Sequence, residues 1–383
     1  MTLTAFRRAD GRVGIRNYLA VIAATDAANP VVRRIAAAVP SAVAITPLYG
    51  RGQLGEDLAL SVRTMIGLGS NPNVYGTLVV SLETVAGSRV AEGIAAKATR
   101  CALMGIQEEG GTPKLFEKAV AVLREWKREA DALKRSPIAL SELVVGLECG
   151  GSDTTSGLVA NPAIGLLTDR IIDEGGTAIF SEPVECLGGE AALVARTPDK
   201  AVQEKIRATV RKYEEIAFRA GVDLNKTNPA PDNIRGGLTT IEEKSLGSIS
   251  KAGTRLIAGV IGYGEAPPRP GLYLMDAPAP ATENITALGA GGTHLILFGT
   301  GVGNSIGCPV SPTVKICGNP LTCETFAEHI DLDLSDVITE GRSLSAAGEA
   351  VNAAASAVIN GEITRCEALG EVEVAISRIG ESV

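Results

Sequence analysis

Apolar positions along the chain come in short bursts separated by stretches of helical spacing. Tyr18–Thr25 (YLAVIAAT), residues 42–48 (AVAITPL) and residues 76–83 (GTLVVSLE) read as buried strands, because each is a near-continuous run with β-branched residues. Between them, NPVVRRIAAAV predicts a helix with Asn29 as N-cap and Pro30 at its first position. GEDLALSVRTMIGLG, residues 55–69, repeats apolar residues at the spacing of an amphipathic helix. Residues 112–135 predict the longest helix, with no internal Gly or Pro after Pro113 and its charge on one face. Past Pro137 the alternation resumes with the strand LVVGLEC, the helix NPAIGLLTDRIIDEGG and the strand TAIFSE. RLIAGVIGYGE, GLYLMDAP and HLILFGTGVGNSIG are further apolar strands that end in Gly-rich or acidic turns. Strands alternating with helices imply parallel sheets covered by helices. The expected fold class is α/β, in two tandem modules: 1–135 and 136–383.

Composition narrows the chemistry. Of the 383 residues, 45% are hydrophobic but only 3% aromatic, and 44 are Gly, so the interior must be built from Ala, Val, Ile and Leu with many tight turns. The net charge of -8 argues against a nucleic-acid partner, which needs clustered Lys and Arg. The opening MTLTAFRRADGRVG lacks the apolar centre of a signal peptide, and no apolar run is long enough to span a membrane. Seven Cys, an odd number without a CxxC pair, point to reduced thiols and a cytoplasmic location. With His294 and His329 the only histidines, a zinc site built from several imidazoles is excluded.

In parallel α/β sheets ligands bind at the carboxyl ends of strands, and four such ends carry chemistry. The first is Cys149-Gly150-Gly151-Ser152-Asp153. Paired glycines let backbone N–H groups approach an anion, Ser152 and Asp153 can bind hydroxyls or a cation, and Asn161-Pro162 opens a helix whose positive end suits a carboxylate. The same residues also suit a tight strand-to-helix turn with Asp153 as the cap. The second is SEPVEC, where Glu182 and Glu185 are metal ligands, an acid–base pair or solvated loop acids. The third is residues 228–247, where Asp232, Asn233, Arg235, Thr239, Thr240, Glu243 and Lys244 crowd into one punctuated loop. The fourth is the 299–303 turn, GTGVG, which does not match GxGxxG and is followed by no P-loop lysine. His294 reads as a core or strand-edge residue. A serine hydrolase, which needs a nucleophile elbow together with a His partner, is not expected.

In this order, RRADGRVGIRN, YGRGQLGEDL, GLECGGSDTTSGLVANPAIG, GGTAIFSEPVE, NPAPDNIRGGLTTIEEKSLG, GLYLMDAP, PTVKICGNP and HIDLD resemble the altronate/galactarate dehydratase family, which includes the sulfolactate sulfo-lyase large subunit. The resemblance covers nearly the whole chain. It implies a cytoplasmic lyase that performs β-elimination, through an enolate, on a small hydroxylated or sulfonated carboxylic acid. By the same resemblance the second half is the catalytic region, and Cys149 to Asp153 belongs to its substrate or metal pocket. It also implies an iron- or manganese-type divalent metal, a homo-oligomer, and a separate small subunit in place of an N-terminal domain that precedes this segment in longer members.

The chain departs from the family pattern at four positions. Ala27, Arg51 and Thr84 stand where the family carries Cys, and Val302 where it carries Arg, so a thiolate-bound iron site is not expected. Arg51 could instead supply a fixed cation for a substrate carboxylate. The expected catalytic residues are Lys244, as base or enolate stabiliser, with Glu182, Glu185 and Cys149. Gly150, Gly151, Ser152, Asp153, Asn161, Arg51, Arg235, Thr239, Thr240, Thr300 and Gly301 are expected to bind substrate. The competing readings are a metal-independent isomerase or hydrolase that reuses the enolate pocket, and a non-catalytic subunit that binds a sugar acid.

Overall fold

The apolar bursts pair into two parallel sheets and one small antiparallel one. In the computed structural model, which describes residues 2–380 and 382, the first sheet has four strands in the order Ala42–Ile45, Tyr18–Ala23, Val74–Ser81, Arg100–Gly105, all parallel. The second has seven: Ile257–Ile261, Gly271–Met275, Thr177–Phe180, Val144–Cys149, Leu295–Thr300, Thr313–Cys317 and Leu332–Asp333, again all parallel. The strands read as continuous apolar runs because helices cover both faces of each sheet. The α/β expectation holds. The third sheet pairs Thr4–Arg7 with Val13–Gly14 and with Ser136–Pro137, so the chain's start lies against the segment that opens the second half.

The layers follow from which faces are apolar. Helices Asn29–Ala37 and Thr112–Ala132 cover the outer face of the first sheet. Helices Gly55–Gly69, Thr84–Ala95 and Ala281–Ala290 fill the space between the two large sheets, in one core shared by both modules. Helices Asn161–Asp173, Lys200–Arg219 and Leu344–Ile359 pack on the far side of the second sheet. The middle layer is tight enough to require glycine: a Cβ on Gly67 would stand 2.3 Å from the Ala290 carbonyl oxygen. Asn71 and Asn73 stitch the modules together. Asn71 donates to the Gly289 and Thr293 carbonyls at 2.9 and 3.0 Å, and Asn73 donates to those of His294 and Val310 at 2.8 and 3.0 Å.

His294 is a core residue, as the sequence suggests. It accepts from the Val144 N–H at 2.9 Å and bonds the Val13 carbonyl at 2.8 Å, and burial pulls its pKa down to about 4. Asn29 differs from expectation. It is the first residue of its helix, with Ala28 in the cap position; its Nδ2 donates to the Pro47 carbonyl at 2.8 Å, and its Oδ1 accepts no helix N–H. Among the described residues no helix is long and apolar enough to cross a membrane.

Strand order places the site. From Val144–Cys149 the chain adds strands on one side out to Ile257–Ile261, then returns with Leu295–Thr300 on the other side. The reversal falls between these two strands, and at their carboxyl ends the loops diverge and leave a crevice.

Candidate functional site

The turn after Cys149 is shaped by backbone before side chains. Gly151 adopts φ +65°, and its carbonyl accepts from the N–H groups of Gly301 and Val302 at 3.0 and 2.9 Å, which fastens the two central strand ends together. Gly301 has to be glycine, since a Cβ there would lie 2.0 Å from the Asp153 carboxylate. Asp153 is buried and fully bonded. One oxygen accepts from the Ser156 N–H at 2.8 Å and the Thr155 hydroxyl at 2.7 Å, and the other accepts from Asn319 Nδ2 at 2.7 Å. Asp153 thus caps a helical run that starts at Thr154 and passes through a π turn at Ser156–Ala160 into Asn161–Asp173.

That continuity corrects the reading of Asn161 as an open helix end. Its backbone N–H lies inside the run and offers no free anion site. The Asn161 side chain donates instead to Cys149 Sγ at 3.1 Å and the Gly247 carbonyl at 3.0 Å, which leaves its own oxygen without a partner. Ser152 Oγ lies 3.3 Å from the same sulfur.

The Thr177–Phe180 strand delivers the centre of the cluster. Glu182 is completely buried and sits at φ +65°, ψ 59°, a left-handed conformation that a non-glycine residue adopts only under constraint from its surroundings. Glu182 Oε2 accepts from the Cys149 N–H at 3.2 Å and lies 2.8 Å from the Lys251 ammonium, whereas Oε1 has no partner. Lys251 is 1% exposed and also donates to Ser248 Oγ at 2.7 Å. Burial raises Glu182 to about 7 despite the opposing pull of Lys251. Burial acts on Lys251 in the lowering direction, but Glu182, Cys149 and Glu148 outweigh it and hold the ammonium above its ordinary range. Glu148, on the adjoining strand, is wholly buried with both carboxylate oxygens unpartnered. Burial first, and then the charge of Glu182, pushes Glu148 well above the carboxylate range. Burial likewise raises the Cys149 thiol.

A second acid–lysine pair lies at the rim of this cluster. Half-buried Lys244 sits 3.0 Å from Glu185 and donates to Asn228 Oδ1 at 2.7 Å. The 228–247 segment closes the crevice from above: Asn233 donates to the Ser152 carbonyl at 2.9 Å, and the Gly236 carbonyl accepts from the Thr154 N–H at 3.0 Å. This segment holds the short helix Pro231–Arg235 and the first two turns of helix Ile241–Ile249, so it is more structured than a loop.

The structure therefore gathers Cys149, Gly150, Gly151, Ser152, Asp153, Asn161, Glu182, Glu185, Lys244, Thr300 and Gly301 at one sheet end. Thr300 Oγ1 accepts from the Gly303 N–H at 3.0 Å and shapes the neighbouring turn. Thr239 and Thr240 are spent on the start of helix Ile241–Ile249, where Thr239 donates to Glu243 at 2.6 Å and Thr240 accepts from the Glu243 N–H at 3.1 Å. Arg235 is exposed on the outside of the covering segment. Arg51 is exposed on the first module, and no hydrogen bond or ion pair among the described residues joins it to the Cys149–Asp153 turn. Sequence reasoning missed Glu148, Lys251 and Asn319. The signal for the first two is a lone charge inside an apolar or small-residue run, VVGLEC and SISKAG.

The donor set does not fit a divalent metal held by side chains. Glu182 and Glu185 each already face a lysine ammonium, and among the described residues no three His, Cys, Asp or Glu converge as ligands. At the first sheet's carboxyl end, Ala27, Arg51 and Thr84 follow three adjacent strands and bring no thiolate. A large cleft, about 740 Å³, lies between the modules against Arg12, Arg63, Arg89 and Lys97 and includes none of the buried acid–lysine cluster. Size alone does not make it the reactive centre; the perturbed carboxyls lie elsewhere.

Comparison with known proteins gives a consistent picture. A family model described as D-galactarate/Altronate dehydratase, C-terminal, matches residues 140–382, and one described as D-galactarate dehydratase/Altronate hydrolase, second domain, matches residues 5–131. The chain is 39% identical to (2R)-sulfolactate sulfo-lyase subunit beta of Chromohalobacter salexigens, an alignment that covers 100% of this chain and 98% of that protein. It is 35% identical to altronate dehydratase of Escherichia coli, over 87% of this chain and 69% of that one. With galactarate dehydratase (L-threo-forming) of Escherichia coli the identity is 27%, over 91% and 70% of the two chains.

Proposed function

The chain belongs to the D-galactarate/altronate dehydratase family, whose relatives are lyases, and from that premise we propose that it catalyses β-elimination on a small 2-hydroxy carboxylic acid. The observation that carries this reading is Glu182: buried, held in a strained backbone conformation, bonded by Lys251 through one oxygen and free at the other, with a pKa raised to about 7. A general base works best with its pKa near the operating pH. Glu182 Oε1 takes the proton α to the substrate carboxylate, and the electron pair left on carbon moves toward that carboxylate. Lys251 and Lys244 meet the developing negative charge with fixed cations in a site shielded from water. The enolate then expels the β substituent, and the enol product tautomerises to a 2-oxo acid.

The leaving group decides how much more the site must do. Sulfite departs without protonation, whereas hydroxide needs an acid, and Lys244, poised between Glu185 and Asn228, is the available donor. We favour the carbon–sulfur reaction, because the alignment that runs nearly end to end in both chains is with the sulfo-lyase subunit. A small partner subunit belongs to the same proposal, since that relative's name marks one subunit of a larger enzyme. The substrate enters by lifting the 228–247 segment, which otherwise seals the turn.

The test uses (2R)-sulfolactate, altronate and galactarate, each deuterated at the α carbon, with sulfite and 2-oxo acid measured together. The expected result is 2-oxo acid formed with loss of the α label and, from sulfolactate, one sulfite per turnover. Turnover that retains the label, or none with any of the three acids, overturns the proposal.

A further inference from the structure

Lys315 is a second fully buried lysine of the second module, and no carboxylate hydrogen-bonds its ammonium. Nζ donates to the Ile306 carbonyl at 2.8 Å, lies 5.6 Å from the centre of the Phe298 ring, and touches Cys366 Sγ directly. A buried ammonium with no carboxylate hydrogen-bonded to it is costly, so such a contact persists only where the fold enforces it. Here the enforcement is visible. Lys315 lies on the Thr313–Cys317 strand and Cys366 on the Arg365–Leu369 helix, and the Asp331 carboxylate bonds both backbones, accepting from Lys315 N at 2.7 Å and Arg365 N at 2.8 Å. The helix is held in turn by Glu367, which pairs with Arg16 of the first module at 2.8 Å. Cys366 is 1% exposed, and its other polar neighbour is the Ser305 carbonyl at 3.4 Å. The amine and thiol are thus fixed against each other in a pocket closed to bulk water, the arrangement that favours reaction between two groups over reaction with solvent.

We propose that Lys315 and Cys366 form a modification site at which dioxygen installs a covalent N–O–S bridge between the two side chains. The ammonium first releases a proton to give the amine. One amine N–H bond and the thiol S–H bond then break, one N–O and one O–S bond form, and nitrogen and sulfur each lose two electrons. Dioxygen accepts all four: one oxygen atom enters the bridge and the other leaves as water with the two hydrogens. The bridge deletes a buried positive charge beside Phe298, on the sheet face that also carries Glu148, and ties the strand to a helix 51 positions later. Closing so long a loop restricts the unfolded chain and stabilises the folded one.

The experiment compares full-length protein held in air-equilibrated buffer with protein kept anaerobic, by intact mass, peptide mapping and melting temperature. In air, one oxygen in and two hydrogens out add about 14 Da, whereas simple thiol oxidation adds about 16 or 32 Da. The expected result is the smaller increment, located on a cross-linked 315–366 peptide pair, with a higher melting temperature, both reversed by dithiothreitol. Wild type alone decides the matter, so poor folding of Lys315→Met or Cys366→Ala would not spoil it. An unchanged mass in air, or oxygen added to Cys366 without a cross-link, overturns the proposal.

Discussion

At the carboxyl end of the first sheet, the loops after Tyr18–Ala23, Ala42–Ile45 and Val74–Ser81 present Ala27, an exposed Arg51, and Thr84, whose hydroxyl and N–H both bond Glu108 at 2.9 Å. At the corresponding end of the second sheet, Glu148, Glu182 and Lys251 are almost entirely removed from solvent, with Glu185 and Lys244 at their rim. The two ends share a topology, a parallel sheet with a reversal of strand order, and differ in what they bury. Burying charge costs stability, and the second module bears that cost at the crevice its own sheet opens. Topology therefore nominates both ends as sites, and desolvated charge selects between them. The first module contributes the shared middle layer and the asparagine stitches.

The largest effect that would break this comparison comes from the proposed base. Glu182→Gln should lower kcat by about a thousandfold, within the range that general-base catalysis contributes, while leaving near-native secondary structure by circular dichroism. A loss of less than tenfold would return the chemistry to another group. Lys251→Met should follow, as a loss of about 3–5 kcal/mol in denaturant unfolding, because it strands a buried carboxylate. The double variant Glu182→Gln/Lys251→Met should regain much of that stability and none of the activity. Additive losses would mean that the two groups do not form a pair.

How far the amino-acid pattern reveals this site depends on what each signal measures. The α/β class and most strands are legible because parallel strands buried on both faces leave unbroken apolar runs, as in Tyr18–Ala23 and Leu295–Thr300. The Cys149–Asp153 turn and Glu182 are legible as small polar groups at strand ends. Glu148 is hidden because it occupies one position of an apolar strand, and Lys251 because it sits on a short turn whose path back to Glu182 depends on tertiary packing. Arg235 and Thr239 show the converse limit: polarity in a covering segment serves solvent and helix capping as readily as substrate, and the pattern alone does not separate these uses.

Gly301→Ala sharpens the comparison at the level of packing. Its Cβ would be driven into the Asp153 carboxylate, and thermal unfolding should report a loss of about 1–3 kcal/mol, the usual cost of overpacking. No change would mean that the two central strand ends are looser than their hydrogen bonds indicate. A subtler effect concerns pH. With Glu182 required as the anion, kcat/KM should rise with pH through about 7, an apparent value that belongs to the coupled cluster. Glu185 adds negative charge that raises Glu182, so Glu185→Gln should move this limb to lower pH. Stability runs the other way. Because Glu182 holds its proton more tightly when folded than when unfolded, its contribution is complete below about 4.5 and is lost as pH rises through about 7.

The smallest expected effect is the most direct check on the choice between the two ends. Arg51 is exposed, and removing an exposed side chain away from a site usually shifts free energies by no more than about 0.5 kcal/mol, roughly twofold in a rate or binding constant. Arg51→Ala should therefore leave KM and kcat within about that factor, measured with the substrate that the deuterium experiment identifies. A tenfold rise in KM with kcat unchanged would show that a guanidinium on the first module reaches the substrate carboxylate when the 228–247 segment lifts, and the two sheet ends would then be halves of one site. A fall in kcat alone would give Arg51 a role in the chemical step, and the assignment of charge stabilisation to Lys251 and Lys244 would have to be shared with it.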